Sequence, residues 1–390
     1  MDTLWAVQGA PAAALFAAAC LGHLLLLVGT HNWFWGLLLP KWLADGVHLA
    51  HAAAVLGGPA ALLLVWGAGV GELFDPANLE TALAPLTLYL WLCLGMAAWL
   101  PVVTLLRLRR REPVSGVRAE VVDVARVLGK RPAGEGKKAF LARLPGTEIF
   151  HVEYAERTLH PPRLPAALDG LTILHLSDLH FHGTPGKDYY RVILERCAAW
   201  SPDVVAITGD LVDTDLHHRW VVPLLGRLRW RVAGLAVLGN HDHRHDVGVL
   251  RRRLRRLGMV VLENNWRPLT VRGETVNVVG HEGPWLRPAP DLSGCPAGPF
   301  RLCLSHTPDN LAWARRRGVD LVLAGHVHGG QIRFPVFGSM LVPSRLGRRY
   351  DCGTFASGPT LMHVSRGLSG EYPVRYNCLP EVTLITLRRS

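Results

Sequence analysis

The stretch LTILHLSDLH at residues 171–180 decides how the rest of the chain is read. Its first six residues are almost all apolar or β-branched, the composition of a strand buried on both faces, and Asp178 and His180 stand just past its end. The same pattern returns four times. Residues 204–208 are followed by Gly209-Asp210, 235–238 by Gly239-Asn240-His241-Asp242, 300–304 by Ser305-His306, and 321–324 by Gly325-His326-Val327-His328. Open α/β sheets carry their ligand groups past the carboxyl ends of strands, so five such ends bearing Asp, His and Asn point to one site.

Working outward, residues 276–279, 361–364 and 382–387 read as further strands, and 188–200, 216–228, 247–257 and 309–317 as helices. Strands at this spacing between helices make residues 166–390 an α/β layered domain long enough for its own core. Before it, residues 112–165 read as a polar linker with leading strands at 117–125 and 149–158. Their Gly/Lys-rich centre (Gly129, Lys130, Gly134, Gly136, Lys137, Lys138) reads as a turn or mobile loop.

The 49% hydrophobic content is unevenly spread. Residues 11–28, 47–70 and 82–106 contain no Asp, Glu, Lys or Arg. Each is near the roughly 20 apolar residues that cross a bilayer, so region 1–111 reads as three transmembrane helices. A cleaved signal peptide fits the first block poorly, because no basic segment precedes it and more apolar helices follow. Residues 30–42, with Trp33, Trp35 and Trp42, read as a short connection or an interfacial segment anchored by aromatic rings. Arg107, Arg109, Arg110 and Arg111 crowd the end of the third block, whereas the second connection has Glu72, Asp75 and Glu80, the first has Lys41, and the N-terminus has Asp2. Basic residues stay on the cytoplasmic side, so the expectation is a multi-pass protein of the cell (inner) membrane with the domain after Arg111 on the cytoplasmic face. His23, His48 and His51 read as polar groups facing neighbouring helices in preference to a haem or metal site.

With 42 Lys+Arg against 31 Asp+Glu, the net charge of +11 admits three partners: nucleic acid, an anionic membrane surface or a phosphorylated substrate. The catalytic half has no basic stretch interleaved with aromatics for stacking bases, which disfavours nucleic acid. The Arg-rich run 251–256 lies on a helix whose Leu250, Leu254 and Leu257 face the core, so its arginines form a solvated face or rest on anionic headgroups. Arg315, Arg316 and Arg317, with Arg345, Arg348 and Arg349, read as lipid or phosphate contacts in the same way. Seven Cys without a CxxC pair exclude a disulfide framework, and Cys303 and Cys352 read as packing residues.

Two divalent ions about 3.5–4 Å apart share a hydroxide and clamp a phosphoryl group, which needs a bridging carboxylate, further oxygens and neutral imidazoles. Asp178, His180, Asp210, Asn240, His306, His326 and His328 supply that inventory. The mixed N/O set suits Mn, Fe or Zn better than Mg or Ca. Glycines 209, 239 and 325 directly precede ligand candidates, where they allow a tight turn and close backbone approach. His182, His243 and His245 flank the set as substrate contacts or as solvated loop residues. Asp213 either caps the next helix or supports a ligand from behind.

The series "HLSDLH", "ITGDLVD", "VLGNHD", "LSHTPD" and "AGHVHGGQIRFP", with the late "VSRGLSG" and "NCLPEVTLITL", resembles the calcineurin-like metallophosphoesterase superfamily over roughly residues 171–387. Within it, the wording is most similar to the bacterial membrane-associated phosphodiesterase branch of YaeI- and YkuE-like proteins. The resemblance implies a four-layer α/β sandwich of two mixed sheets, here preceded by the α-helical transmembrane region. It also implies that Asp178, His180 and His328 hold one divalent ion, that Asp210 bridges, and that Asn240, His306 and His326 complete the second. His241 would act over the phosphate, with Asp242 orienting it as a second catalytic residue. The expected function is a membrane-anchored dimetal phosphohydrolase, a phosphodiesterase or pyrophosphatase using a metal-bridging hydroxide. Its substrate would be a lipid-linked or nucleotide-linked phosphate at the bilayer surface. The competing readings are a nuclease of the same superfamily and a non-enzymatic metal-binding membrane scaffold.

Overall fold

A computed structural model of the chain describes residues 9–37, 39–67, 74–286 and 288–389. The chain divides into two compact units, Met1–Arg111 and Glu112–Ser390. The first holds three long helices, α1 (Gly9–Trp35), α2 (Lys41–Gly67) and α3 (Ala84–Arg109). Each contains a segment long and apolar enough to cross a membrane. Large apolar side chains such as Leu49, Leu56 and Leu64 point outward, while the polar His23 is buried. Its ring bonds the Tyr89 hydroxyl and, at 2.9 Å, the Ala54 carbonyl, so one imidazole ties all three helices. A Cβ at Gly58 would lie 2.1 Å from His23 Nε2. Small residues and interhelical polar contacts of this kind hold helices together in lipid, where the hydrophobic effect does not.

Residues 30–42 are not the expected connection. α1 runs on to Trp35 and α2 begins at Lys41: the chain has no proline between Gly29 and Gly36 to stop the helix, and Pro40 is well placed at a helix start. Asp2, Glu72 and residues 68–70, which entered the reading of orientation and span length, lie outside the described residues.

The second unit contains, in chain order, β1 (Val114–Asp123), α4 (Val124–Leu128), β2 (His151–Leu159), β3 (Thr172–Leu176), α5 (Lys187–Ala198), β4 (Val204–Thr208), α6 (His218–Leu225), β5 (Ala233–Val237) and α7 (Val247–Arg256). There follow β6 (Val260–Val261), β7 (Trp266–Val271), β8 (Glu274–His281), β9 (Phe300–Ser305), α8 (Leu311–Arg316), β10 (Leu321–Ala324), β11 (Arg333–Phe334), β12 (Gly338–Ser339), β13 (Gly353–Ser357), β14 (Thr360–Val364) and β15 (Glu381–Leu387). A seven-stranded sheet has the order β1-β2-β15-β3-β4-β5-β6, and a six-stranded sheet the order β13-β14-β10-β9-β8-β7. Both are mixed: β3, β4, β5 and β6 run parallel beside the antiparallel β15, and β8, β9, β10 and β14 run parallel between antiparallel edges.

The two-residue side-chain period of a strand explains the layering. Ile173, Val204 and Leu235 of the first sheet meet Val278, Leu302 and Leu323 of the second in a core between the sheets. Their sequence neighbours Leu174, Val205 and Ala236 pack on the other side against Ile193 of α5, Leu224 of α6 and Leu250 of α7. Beyond the second sheet, Cys303 and Val322 pack against Leu311 and Ala314 of α8. The result is a four-layer α/β sandwich. The leading strands β1 and β2 extend the seven-stranded sheet, and the Gly/Lys-rich segment between them is pinned by Glu135 and Gly136 amides donating to the Gly183 carbonyl.

Candidate metal centre

Parallel strands deliver their carboxyl ends to the same edge, and here β3, β4 and β5 of one sheet and β9 and β10 of the other end together. The loops past these ends cross-brace each other. The Asp178 amide donates to the Gly209 carbonyl, the His180 amide to the Asp210 carbonyl and the Gly325 amide to the His306 carbonyl. His306 Nδ1 lies 2.7 Å from the Thr208 carbonyl, joining the two sheets directly. Asp178, His180, Asp210, His326 and His328 all have positive φ, between 48° and 72°. Few non-glycine residues take this backbone, and several together are the strain expected where a structure over-determines a functional loop. A Cβ at Gly325 would come within 1.8 Å of Ser177 Oγ and 2.4 Å of Asp178 Oδ2, so only glycine lets the β10 loop approach the Asp178 carboxylate.

All seven ligand candidates from the sequence are brought together. Asp178, His180, Asp210 and His328 form one group able to hold an ion, and Asp210, His306 and His326 form another, with Asp210 in both. Asp210 Oδ2 stands 3.6 Å from His180 Nε2 and 3.3 Å from His306 Nε2. Asn240 Oδ1 lies 3.0 Å from His306 Nε2 and joins the second group.

The donors fit divalent ions. His180 Nε2, His326 Nε2 and Asp210 Oδ2 are buried without a hydrogen-bond partner, an arrangement that costs stability unless something else satisfies them. The opposite ring nitrogens are held: His180 Nδ1 by Asp213 at 2.8 Å and His328 Nδ1 by the Ser369 carbonyl at 3.0 Å. Such outer contacts fix the tautomer that turns Nε2 toward an ion. The electrostatics agree. Burial disfavours the imidazolium of His180 and His306, yet Asp213 and Asp210 respectively, with Asp178, outweigh it and raise both to about 9. Burial also works against the Asp210 carboxylate, but His306, His241 and His180 hold it well below the usual carboxylate range. The pocket therefore favours positive charge on both sides of an ionised Asp210, which divalent ions on the neutral imidazoles would supply in place of those protons.

His241 has a different neighbour from the one expected. Its Nδ1 lies 2.8 Å from Asp213 Oδ1, the carboxylate that also holds His180. Asp242 instead accepts the backbone N–H groups of Leu211, Val212 and Gly239 at 2.8–3.0 Å. The orienting carboxylate of His241 is thus Asp213, and Asp242 is a fully buried brace for the β4 and β5 loops. Asp213 does not cap the following helical turn, which starts from Thr214. His182 is packed below the site with Nε2 3.2 Å from the Gly370 carbonyl, His245 pairs with Asp215 at 3.3 Å, and His243 is exposed. Arg251 of the Arg-rich helix is committed to the buried Glu282 at 2.8 Å, so it is not a headgroup contact.

Two residues outside the strand-end pattern also reach the site. Trp285 lies with its ring centroid 4.7 Å from that of His326 and 5.5 Å from that of His306, forming an aromatic wall; its position just past β8 is the one local hint. Glu371, held by Lys138 at 2.9 Å, places Oε2 4.0 Å from His241 Nε2. No short motif marks it, because two distant loops bring it there.

Two buried imidazole and carboxylate groups sharing one carboxylate, at the joined ends of two sheets in a four-layer sandwich, define a metal-dependent phosphoester hydrolase. Residues 171–330 match the family described as calcineurin-like phosphoesterase. The chain is 30% identical over 253 residues to the Bacillus subtilis protein named "Uncharacterized metallophosphoesterase YkuE", covering 62% of this chain and 88% of that protein. It is also 30% identical over 223 residues to the Escherichia coli protein named "Phosphodiesterase YaeI", covering 55% and 81%. A "Transmembrane protein with metallophosphoesterase domain" from Danio rerio is 30% identical over 249 residues, covering 58% and 55%. The chain belongs to the calcineurin-like metallophosphoesterase family.

Proposed function

We propose that this protein is a membrane-anchored phosphodiesterase or pyrophosphatase, with two divalent ions, acting on a lipid-linked or nucleotide-linked phosphate at the bilayer surface. The observation that carries the dimetal reading is the orphaned Asp210 Oδ2, set between His180 Nε2 and His306 Nε2. Asp178, His180 and His328 would hold one ion, Asn240, His306 and His326 the other, and Asp210 both. Bound divalent ions supply an activated water and Lewis-acid stabilisation of charge on a phosphoryl group.

The chain's own residues do the rest. The His241 amide donates to Asp210 Oδ1 at 2.9 Å, which fixes its backbone against the centre. Asp213 takes His241 Nδ1, leaving Nε2 to face the substrate and to stabilise or protonate the departing oxygen. Trp285 walls the site on the side of His306 and His326.

The three apolar helices in the same polypeptide support a substrate at the membrane, and the YaeI name supports diester chemistry. Arg107, Arg109, Arg110 and Arg111 at the end of α3 support a cytoplasmic domain of an inner-membrane protein. The purified full chain in detergent, given Mn²⁺ and in turn a phospholipid, a nucleotide-diphosphate-linked lipid and an oligonucleotide, tests the substrate class. Faster turnover of either lipid is expected; a preference for the oligonucleotide would overturn it.

A further inference from the structure

Directly after His328 the chain forms a small antiparallel hairpin, β11 against β12, closed by a turn at Pro335-Val336-Phe337. A solvated hairpin exposes its polar groups and buries its apolar ones. This one does the reverse. Arg333 is folded back onto the buried Asp351 at 2.9 Å and the Gly329 carbonyl at 2.8 Å, and Ser339 bonds the same carboxylate. Phe334, Val336, Phe337 and Leu341 are left exposed, with Val336 at 63%. Val336 also has φ 67°, a costly backbone for a β-branched residue and a reason to suspect function at the tip.

The charge around the hairpin is one-sided. Residues 331–350, QIRFPVFGSMLVPSRLGRRY, contain four Arg and no Asp or Glu. Arg345 and Arg349 are exposed, Arg345 with its Nε 4.0 Å from Asp309, while the Asp351 carboxylate is buried and taken up by Arg333. Exposed apolar side chains in a segment whose only charges are basic match an anionic bilayer, whose headgroups attract Arg and whose acyl region receives Phe and Val. The hairpin base shares its support with the metal centre: the Arg333 amide donates to the Tyr376 carbonyl, and Arg375 Nη1 donates to the His328 carbonyl.

We propose that the 331–349 hairpin is a lipid-docking element that dips into an anionic bilayer beside the metal centre. The inference rests on the membrane-surface reading of the function and names the surface that would meet the lipid. A second copy of the chain is the competing occupant.

The test uses the full chain in nanodiscs of phosphatidylglycerol and phosphatidylcholine, with an environment-sensitive fluorophore on Val336→Cys or, as a second variant, Leu341→Cys, and doxyl-labelled lipid as quencher. Signal from the unsubstituted chain is subtracted. Glu274→Cys is the control, because Glu274 is exposed at the start of β8, the end opposite the ligand-bearing loops. Expected are a blue-shifted emission, quenching at least about twofold stronger at the hairpin than at Glu274, and loss of that excess in pure phosphatidylcholine. Equal quenching at the hairpin and at Glu274, or a bis-maleimide cross-link between two Val336→Cys chains, would overturn it. Turnover of an aryl phosphodiester by the same samples separates the two levels. Turnover without quenching sinks the hairpin inference alone, and absent turnover in the unlabelled chain sinks the enzymatic reading.

Discussion

Asp213 holds His241 and His180 with one carboxylate, whereas Asp242 holds only backbone amides, so the two acids should fail differently when neutralised. Asp213→Asn is expected to lower kcat by about 10- to 100-fold and to change the pH profile of kcat, with little change in Tm. Asp242→Asn keeps one acceptor oxygen for the Leu211 and Val212 N–H groups but sets its amide donor against the Gly239 N–H, and is expected to cost about 1–3 kcal/mol, read as a lowered Tm. The reverse outcome would restore Asp242 as the partner of His241. The ligand candidates were legible because each stands within four residues of an apolar strand end. The choice between Asp213 and Asp242 was not, since both lie near a glycine turn and only the tertiary fold shows which carboxylate meets the imidazole. The left-handed conformations of five ligand candidates were equally hidden, as Asp and His do not advertise that backbone.

At the scale of elements, β15 locks the sheet on which the first ligands stand. It lies between β2 and β3, and its Glu381 is buried with Arg366 at 2.6 Å, His363 at 3.6 Å and Arg157 at 3.9 Å. Burial alone would raise this carboxyl, but Arg366, His363 and Arg157 outweigh it and hold it far below the usual carboxylate range. A folded-state pKa below the unfolded one stabilises fully above the unfolded value of about 4.3, and that stability is lost as pH falls further. Glu381→Gln is expected to cost about 3–5 kcal/mol at pH 7 and to flatten the acid side of the Tm-against-pH curve, measured by thermal melts between pH 3 and 7. An unchanged acid slope would show that the buried pair is not the acid-sensitive lock. The long apolar strands were legible from composition, while β7 carries Pro268 and β6 has two residues, too little pattern for either to stand out. The extension of α1 through Trp33 to Trp35 was hidden because interfacial tryptophans suit a helix end and a loop alike.

The whole molecule joins three apolar helices to a hydrolase domain, and the average composition conceals that division. Residues without charge over some twenty positions were enough to read the helices, since length and hydropathy suffice for that. The full chain is expected to stay with membranes through alkaline carbonate washing, as an integral protein does and a surface-bound one does not; release into the wash would contradict three spans. A truncation of the arginines to alanines at Arg107, Arg109, Arg110 and Arg111 is expected to randomise the side on which the domain is found, read by protease protection of sealed vesicles.

Two-metal chemistry in this fold requires that Asp210 join two ion sites beside His241. Metal analysis and aryl phosphodiester turnover on the chelated, then Mn²⁺-reloaded, full chain test it most directly, alongside Asp210→Asn and His241→Ala. Expected are two ions per chain with turnover restored, loss of both ions' tight binding and of turnover in Asp210→Asn, and full metal binding with turnover lowered about 100-fold or more in His241→Ala. Two tightly held ions in Asp210→Asn, or wild-type turnover by His241→Ala, would contradict it.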